Sequence, residues 1–307
     1  MSRRPVAGAL ILLCLALPAC TSGMLASGPS PRDPNVIVVA SFDFPESVLL
    51  AELYGQALRS AGRPVRLWLN LGSREIVEPA LEQGYVDLVP EYLGSALQFA
   101  SLGRASATAQ TLEADRAALS RALAPRGLAA LASAPAEDQN AVVVQASTAA
   151  SKHLLTISDL IPYARSMTFG APPECMARAL CFKGLERVYG LRFRAAVPLD
   201  ASGDTTVSSL RTGAIDAGLL FSTDGRIPAA GLVPLLDDRH LQPAENVTPV
   251  IRRSVLDRIA GIAAAVDAVS ADLTSHELTE LNRQVTVDGI APARVAARWL
   301  REHGLGA

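Results

Sequence analysis

From residue 36 onward the chain alternates short apolar runs with longer amphipathic stretches, a rhythm that restricts it to an α/β architecture with largely parallel strands. Residues 36–40, 65–69 and 86–89 read as strands. Helical spacing fills 46–61 and 73–83, which stop at Gly62 and Gly84, with Ser73 placed to cap the second. The turn Pro90-Glu91-Tyr92 leads into another helical stretch, then helix over 108–123 and strand over 128–132. A Pro-containing polar segment, 134–139, precedes a new β-run at 141–144. The grammar then repeats, with helical 158–163, 180–189 and 205–212 alternating with extended 167–170, 193–198 and 217–221. Helices near 255–269, 275–284 and 292–303 make the tail.

A body of ~270 residues suits two domains of ~100–150 residues each. The expected division is lobe 1 over 36–136 plus 225–307 and lobe 2 over 137–224, hinged where the chain crosses near 135–140 and 221–227. Two sequential domains are the alternative. Two segments share one form: Gly84-Tyr85-Val86-Asp87 before Leu88-Val89-Pro90-Glu91-Tyr92, and Gly213-Ala214-Ile215-Asp216 before a run ending Phe221-Ser222-Thr223-Asp224. In each, a helix stops at Gly and a strand delivers polar and aromatic side chains to its carboxyl end, where ligands bind in open α/β sheets.

The first residues have the form of an export signal: Arg3 and Arg4, an apolar run over 6–17, then Leu17-Pro18-Ala19-Cys20. That ending is a lipobox, although Pro18 stands where the pattern prefers a small or branched residue. The run is well short of the ~20 residues needed to span a bilayer. The expectation is a signal peptide over 1–19, a lipid on Cys20 and a Ser-, Gly- and Pro-rich tether over 20–35, which puts the body at the outer face of the cytoplasmic membrane. A plain secreted protein is the alternative.

Export also bears on the cysteines, since only Cys175 and Cys181 would remain beside the acylated Cys20. A pair in an oxidising compartment is expected to form a disulfide, worth roughly 2–3 kcal/mol for so short a loop, against two free buried thiols. The four histidines are scattered, so no metal site is expected. Loss of Arg3 and Arg4 with the leader takes the net charge from −2 to −4. With no basic stripe, nothing favours nucleic acid. The chain lacks a Gly-x-Ser-x-Gly elbow, a phosphate loop and a dinucleotide fingerprint, so neither an enzyme nor a bound cofactor is expected.

Several strings, in order, carry a resemblance. They are Ser41-Phe42-Asp43-Phe44-Pro45-Glu46, Ala51-Glu52-Leu53-Tyr54, Leu69-Asn70-Leu71-Gly72-Ser73 and Pro90-Glu91-Tyr92-Leu93-Gly94-Ser95, then Asp138-Gln139-Asn140-Ala141, Pro172-Pro173-Glu174-Cys175 and Ser222-Thr223-Asp224-Gly225-Arg226-Ile227. Their sequence and spacing over 36–256 resemble the glycine betaine, carnitine and choline binding proteins of osmoprotectant ABC importers. The resemblance implies a type II periplasmic-binding fold, in which two α/β lobes close over a small-molecule solute and a monomer presents it to the permease and ATPase of an importer.

A quaternary ammonium has no N–H to donate, so its site needs aromatic faces, each worth roughly 0.5–2 kcal/mol, and nearby acceptor charge. By family position the aromatic candidates are Phe44, Tyr92 and Phe221, each with core packing as the alternative. Asp43 stands where relatives often carry Asn, Asn140 where some carry Tyr, and Phe221 where Tyr is frequent. Asp43 would favour a cation if it lines the cleft; otherwise it is a turn or cap residue. Ser73 and the amides after Gly72 could receive a ligand carboxylate at a helix start, or simply cap it. Gln139 and Asn140 at the first crossing, and Asp224 in its Asp-Gly turn, complete the candidate ligand set. An amino acid or a polyamine is the alternative cargo.

Overall fold

A computed structural model describes residues 33–104 and 111–306. The signal peptide, Cys20 and nearly all of the tether lie outside the described residues, as does the start of the helix expected from 108. Among the described residues ten strands form in chain order: β1 (Ile37–Ala40), β2 (Val65–Trp68), β3 (Leu88–Tyr92), β4 (Leu128–Ala130), β5 (Asn140–Gln145), β6 (Thr168–Ala171), β7 (Ala195–Pro198), β8 (Ala217–Phe221), β9 (Leu232–Pro234) and β10 (Val247–Arg252). They make two five-stranded sheets, ordered β2-β1-β3-β10-β4 and β7-β6-β8-β5-β9. The two sheets repeat one topology. Three parallel strands are followed by one that runs antiparallel to both of its neighbours, β10 in the first sheet and β5 in the second.

Strands sandwiched between helices must be apolar on both faces, and β1, with the sequence Ile-Val-Val-Ala, is buried throughout. The edge strand β2 alternates instead, half-burying Val65 and Leu67 and exposing Arg66 and Trp68. The helix Pro45–Ser60 opens with Pro in its first turn and buries Leu49, Leu50, Leu53, Tyr54 and Leu58. Its partners include the tail helices Ile262–Asp272 and Pro292–Glu302, and Tyr54 Oη meets Ser270 Oγ at 3.0 Å. The tail therefore packs into the core of the first sheet. Its first helix is broken into Arg253–Arg258 and Ile262–Asp272 rather than running over 255–269, because Gly261 adopts a left-handed conformation between them.

The repeated Gly-to-Asp segments do one job twice. Gly84 (φ +80°) and Gly213 (φ +74°) end their helices in the left-handed region that favours glycine. Asp87 then exchanges two bonds with Val38 of β1: its N–H reaches Val38 O at 2.8 Å, and its Oδ2 accepts from Val38 N at 2.9 Å. Asp216 does the same with Thr168 of β6, at 3.0 and 2.7 Å. Each aspartate fixes the register in which a third strand enters beside the first.

Two expectations are corrected. The second crossing does not fall near 221–227, and 225–241 does not join lobe 1, because β9 pairs with β5 and Leu235 and Leu241 pack in the second core. The chain returns through 242–246, where Glu245 O accepts from Asp138 N at 3.1 Å and Asn246 forms a bridge with Glu137. The two crossings thus lie side by side. The loop after Phe221 instead leans on the first lobe, with Gly225 so near the helix Ser275–Thr286 that a Cβ there would sit 2.6 Å from Arg283 Cα. Second, Pro90-Glu91-Tyr92 is strand, not turn. Pro90 lies opposite Pro249, and the flanking bonds, Arg252 N to Asp87 O and Leu93 N to Asn246 O, make this a pair that exchanges no hydrogen bonds. Two prolines are tolerated inside the sheet because neither is asked for an N–H by the other strand.

Candidate functional site

A cavity of about 140 Å³ opens between the two sheets. Its wall comes from the carboxyl ends of parallel strands and the amino ends of the antiparallel ones. The last residues of β3 and β8 contribute Tyr92 and Phe221, the segments after β1, β2 and β6 contribute Phe44, Ser73 and Glu174, and those entering β5 and β10 contribute Asp138 and Glu245. This is the crevice where an open α/β sheet takes its ligand.

Phe44, Tyr92 and Phe221 are brought together. The Phe44 ring lies 4.7 Å from Phe221 and 6.2 Å from Tyr92, centroid to centroid, and Phe42 stacks on it at 5.9 Å. Phe42 was not among the expected site residues, though it stands two positions from Phe44 on the same loop. Asp43 sits exposed at the rim, and Ser73 and Asn140 also line the cavity. Ser73 occupies the position before the helix Arg74–Glu82 but makes no capping bond with its side chain; its hydroxyl donates to Glu75 Oε2 at 2.7 Å. Asn140 directs its amide hydrogens to Leu180 O and Gln242 Oε1, both at 3.2 Å.

Gln139 and Asp224 do not reach the cavity. Gln139 donates its side-chain amide to Pro243 O at 3.1 Å, tying one crossing to the other. Asp224 is buried against Arg226, with Nε to Oδ1 at 2.9 Å and Nη2 to Oδ2 at 2.7 Å, and accepts from Ser202 Oγ at 2.8 Å. Local polar partners have used up both side chains. Cys175 and Cys181 are joined in a disulfide, and the loop they close carries Arg178 and Leu180 to the cavity.

Behind the aromatic wall stands a layer of buried acids. Tyr92 Oη donates to Glu46 Oε1 at 2.6 Å, and Glu46 Oε2 also accepts from Thr223 and Asn282. Burial pushes Glu46 and Asp138 upward, Asp138 further because of the Glu46 charge. Burial and the same carboxylate push the Tyr92 phenol well above its ordinary range. Deeper, Arg74 forms a bidentate pair with Glu91, Nε to Oε1 and Nη2 to Oε2 both at 2.8 Å. Glu78 lies beside Glu91, raised by burial and by that neighbouring charge. Glu245 accepts from Ser95 N at 3.0 Å and Ser95 Oγ at 2.6 Å, yet burial lifts it to about 7. Among the described residues no cluster of His, Cys, Asp and Glu could hold a metal, and no helix is long and apolar enough to cross a membrane.

The chain is similar to known proteins over this whole body. A family model described as the substrate binding domain of ABC-type glycine betaine transport systems matches residues 35–302. The glycine betaine-binding protein YehZ of Escherichia coli K12 is 28% identical over 267 residues, spanning 84% of this chain and 88% of that protein. A glycine-betaine-binding protein of Pseudomonas aeruginosa is 27% identical over 301 residues, covering 95% of this chain and 94% of its own. A solved structure described as a glycine betaine/carnitine/choline ABC transporter superposes with a TM-score of 0.68 at 24% identity, covering 88% of this chain and 99% of that one. That last likeness shows the fold, a pair of α/β lobes of the type II periplasmic-binding architecture.

Proposed function

Because the chain belongs to the family of substrate-binding domains of ABC-type glycine betaine transport systems, we propose that its lobes capture a quaternary ammonium osmoprotectant against Phe44, Tyr92 and Phe221 and deliver it, chemically unchanged, to an importer's permease and ATPase. The observation that carries this reading is the contiguous aromatic surface, bordered by carboxyl groups, on the wall of an interlobe cavity. Such a surface compensates a trimethylammonium group for lost water through ring quadrupoles, with no N–H donor required. Within the proposal the chain acts as a monomer, held at the outer face of the cytoplasmic membrane by a lipid on Cys20. Asp43 and Asn140 contribute polar contacts at the rim, and Ser73 lies beside them.

Calorimetric titration with choline, glycine betaine and carnitine tests the proposal, with amino acids and polyamines run in parallel. Saturable binding of at least one quaternary ammonium compound is expected. Silence from all three alongside tight binding of another solute class would overturn it. Labelling with radioactive palmitate in a bacterial host, compared with Cys20→Ser, tests the anchor.

A further inference from the structure

The quaternary-ammonium reading leaves open whether the ligand also carries a carboxylate, and the inference here rests on that reading. Two guanidinium groups reach the cavity wall, those of Arg74 and Arg178. Arg74 is committed to Glu91 through two bonds of 2.8 Å, while its Cζ stands 5.3 Å from the centre of the Phe42 ring. Arg178, on the disulfide-closed loop of the second lobe, reaches across to Glu75 of the first. Its Nη2 lies 2.7 Å from Oε2 and 3.0 Å from Oε1, and its Nε 3.2 Å from Oε1.

Another feature that could take a ligand anion is the first turn of the helix Arg74–Glu82, and Glu75 stands there as well. Ser73 Oγ donates to the same carboxylate at 2.7 Å. Burial pushes Glu75 up, but hydrogen bonds from Arg178 and Ser73 and the Arg178 charge outweigh it and hold the group at about 2. Glu75 is therefore ionised across the neutral range. Both guanidinium groups and the Ser73 hydroxyl are taken by carboxylates of the chain itself. An incoming carboxylate would meet, in addition, the acidic side chains of Asp43 and Glu174, which also line the cavity.

We propose that Glu75 is the specificity-determining residue of the cleft: it occupies, as part of the chain, the place a ligand carboxylate would take. The site thus selects a quaternary ammonium cation without a carboxylate, of the choline type, over zwitterions such as glycine betaine and carnitine. A zwitterion must displace Glu75 from Arg178 or leave its own carboxylate desolvated beside acids. The simple cation meets neither demand.

Calorimetry on the purified full chain near neutral pH reads this directly. Choline is expected to bind at least ~10-fold tighter than glycine betaine or carnitine, and Glu75→Ala to shift the choline-to-betaine ratio by at least ~10-fold toward betaine. Losing the cross-lobe ion pair can weaken all ligands together, but a common loss cancels in the ratio. Should Glu75→Ala fail to fold by circular dichroism, Glu75→Gln supplies the comparison, and the wild-type ratio decides independently. Zwitterions binding as tightly as choline, or a ratio unmoved by the substitution, would overturn the inference while leaving the quaternary-ammonium reading intact. Silence from all three ligands would end both.

Discussion

The phenol hydroxyl of Tyr92 donates to Glu46 Oε1 across 2.6 Å, so the ring facing the cavity is held from behind by the first turn of the helix Pro45–Ser60. Glu46 also accepts from Thr223 on the loop after β8 and from Asn282 on the helix Ser275–Thr286. One carboxyl group thereby joins the aromatic wall, a loop of the second lobe and a tail helix of the first.

This arrangement separates the ring of Tyr92 from its hydroxyl. Tyr92→Ala removes the aromatic face and is expected to weaken quaternary ammonium binding by over ~1 kcal/mol while the lobes stay folded. Tyr92→Phe keeps the face and removes only the donor to Glu46. It should hold affinity within about threefold and cost about 1 kcal/mol of stability. Paired calorimetry and urea unfolding check both. An affinity unchanged in Tyr92→Ala would take Tyr92 out of the binding surface.

Glu245 gives stability a pH dependence of definite sign. Its carboxyl rises from 4.5 to about 7 because burial outweighs the Ser95 hydrogen bonds, with Arg74 pulling down and Glu91 pushing up. Between those values the folded chain keeps a proton that the unfolded chain gives up, so unfolding releases a proton and stability falls as pH rises, levelling above about 7. A shift of that size is worth on the order of 3 kcal/mol. Glu46, Glu78 and Asp138 are raised as well and act in the same direction. Glu75 and Glu280, both held near 2, lose their contribution only in stronger acid. Tm is therefore expected to drop by several degrees between about pH 5 and pH 8, and Glu245→Gln to flatten part of the slope. A Tm that climbs over this interval would contradict the protonated state of Glu245.

What the sequence made legible follows from how local each signal is. Strand β8 could be read in full, because a helix stop at Gly213 and an apolar run to Phe221 are contiguous in the chain. The aromatic wall was readable through the family resemblance, which pointed to Phe44, Tyr92 and Phe221 by position. Strands β9 and β10 escaped notice. One is three residues long, and the other carries Pro249 in its interior, tolerated because its pair with the distant position 90 exchanges no hydrogen bonds. Glu46, Arg74, Arg178 and Glu245 were missed as site groups since their roles depend on partners far away in sequence, as in the separation of 103 positions from Glu75 to Arg178. Gln139 and Asp224 were misplaced for the converse reason: polar character marked them, but their neighbours had already satisfied it.

The disulfide between Cys175 and Cys181 closes the loop from which Arg178 reaches Glu75 and from which Leu180 O accepts the amide of Asn140. Reduction frees that loop, so it should both lower stability, by roughly 2–3 kcal/mol, and loosen the cavity wall. The double substitution Cys175→Ser with Cys181→Ser is expected to weaken ligand binding several-fold while circular dichroism stays native. Two free thiols found by mass spectrometry under non-reducing conditions would remove the premise.

Asp224 offers the sharpest test of position against residue type. Its two oxygens receive Arg226 Nε and Nη2, Ser202 Oγ and the backbone N–H of Arg226, all within 2.9 Å. Asp224 and Arg226 are each 7% exposed. Removing Asp224 leaves the buried Arg226 with only the exposed Asp204, at 2.5 Å from Nη1, as its acidic partner, and breaking a buried pair typically costs ~3–5 kcal/mol. Asp224→Ala should therefore unfold at markedly lower urea concentration, yet bind its ligand within about threefold of wild type wherever it remains folded. The opposite pattern, native stability with binding abolished, would return Asp224 to the ligand.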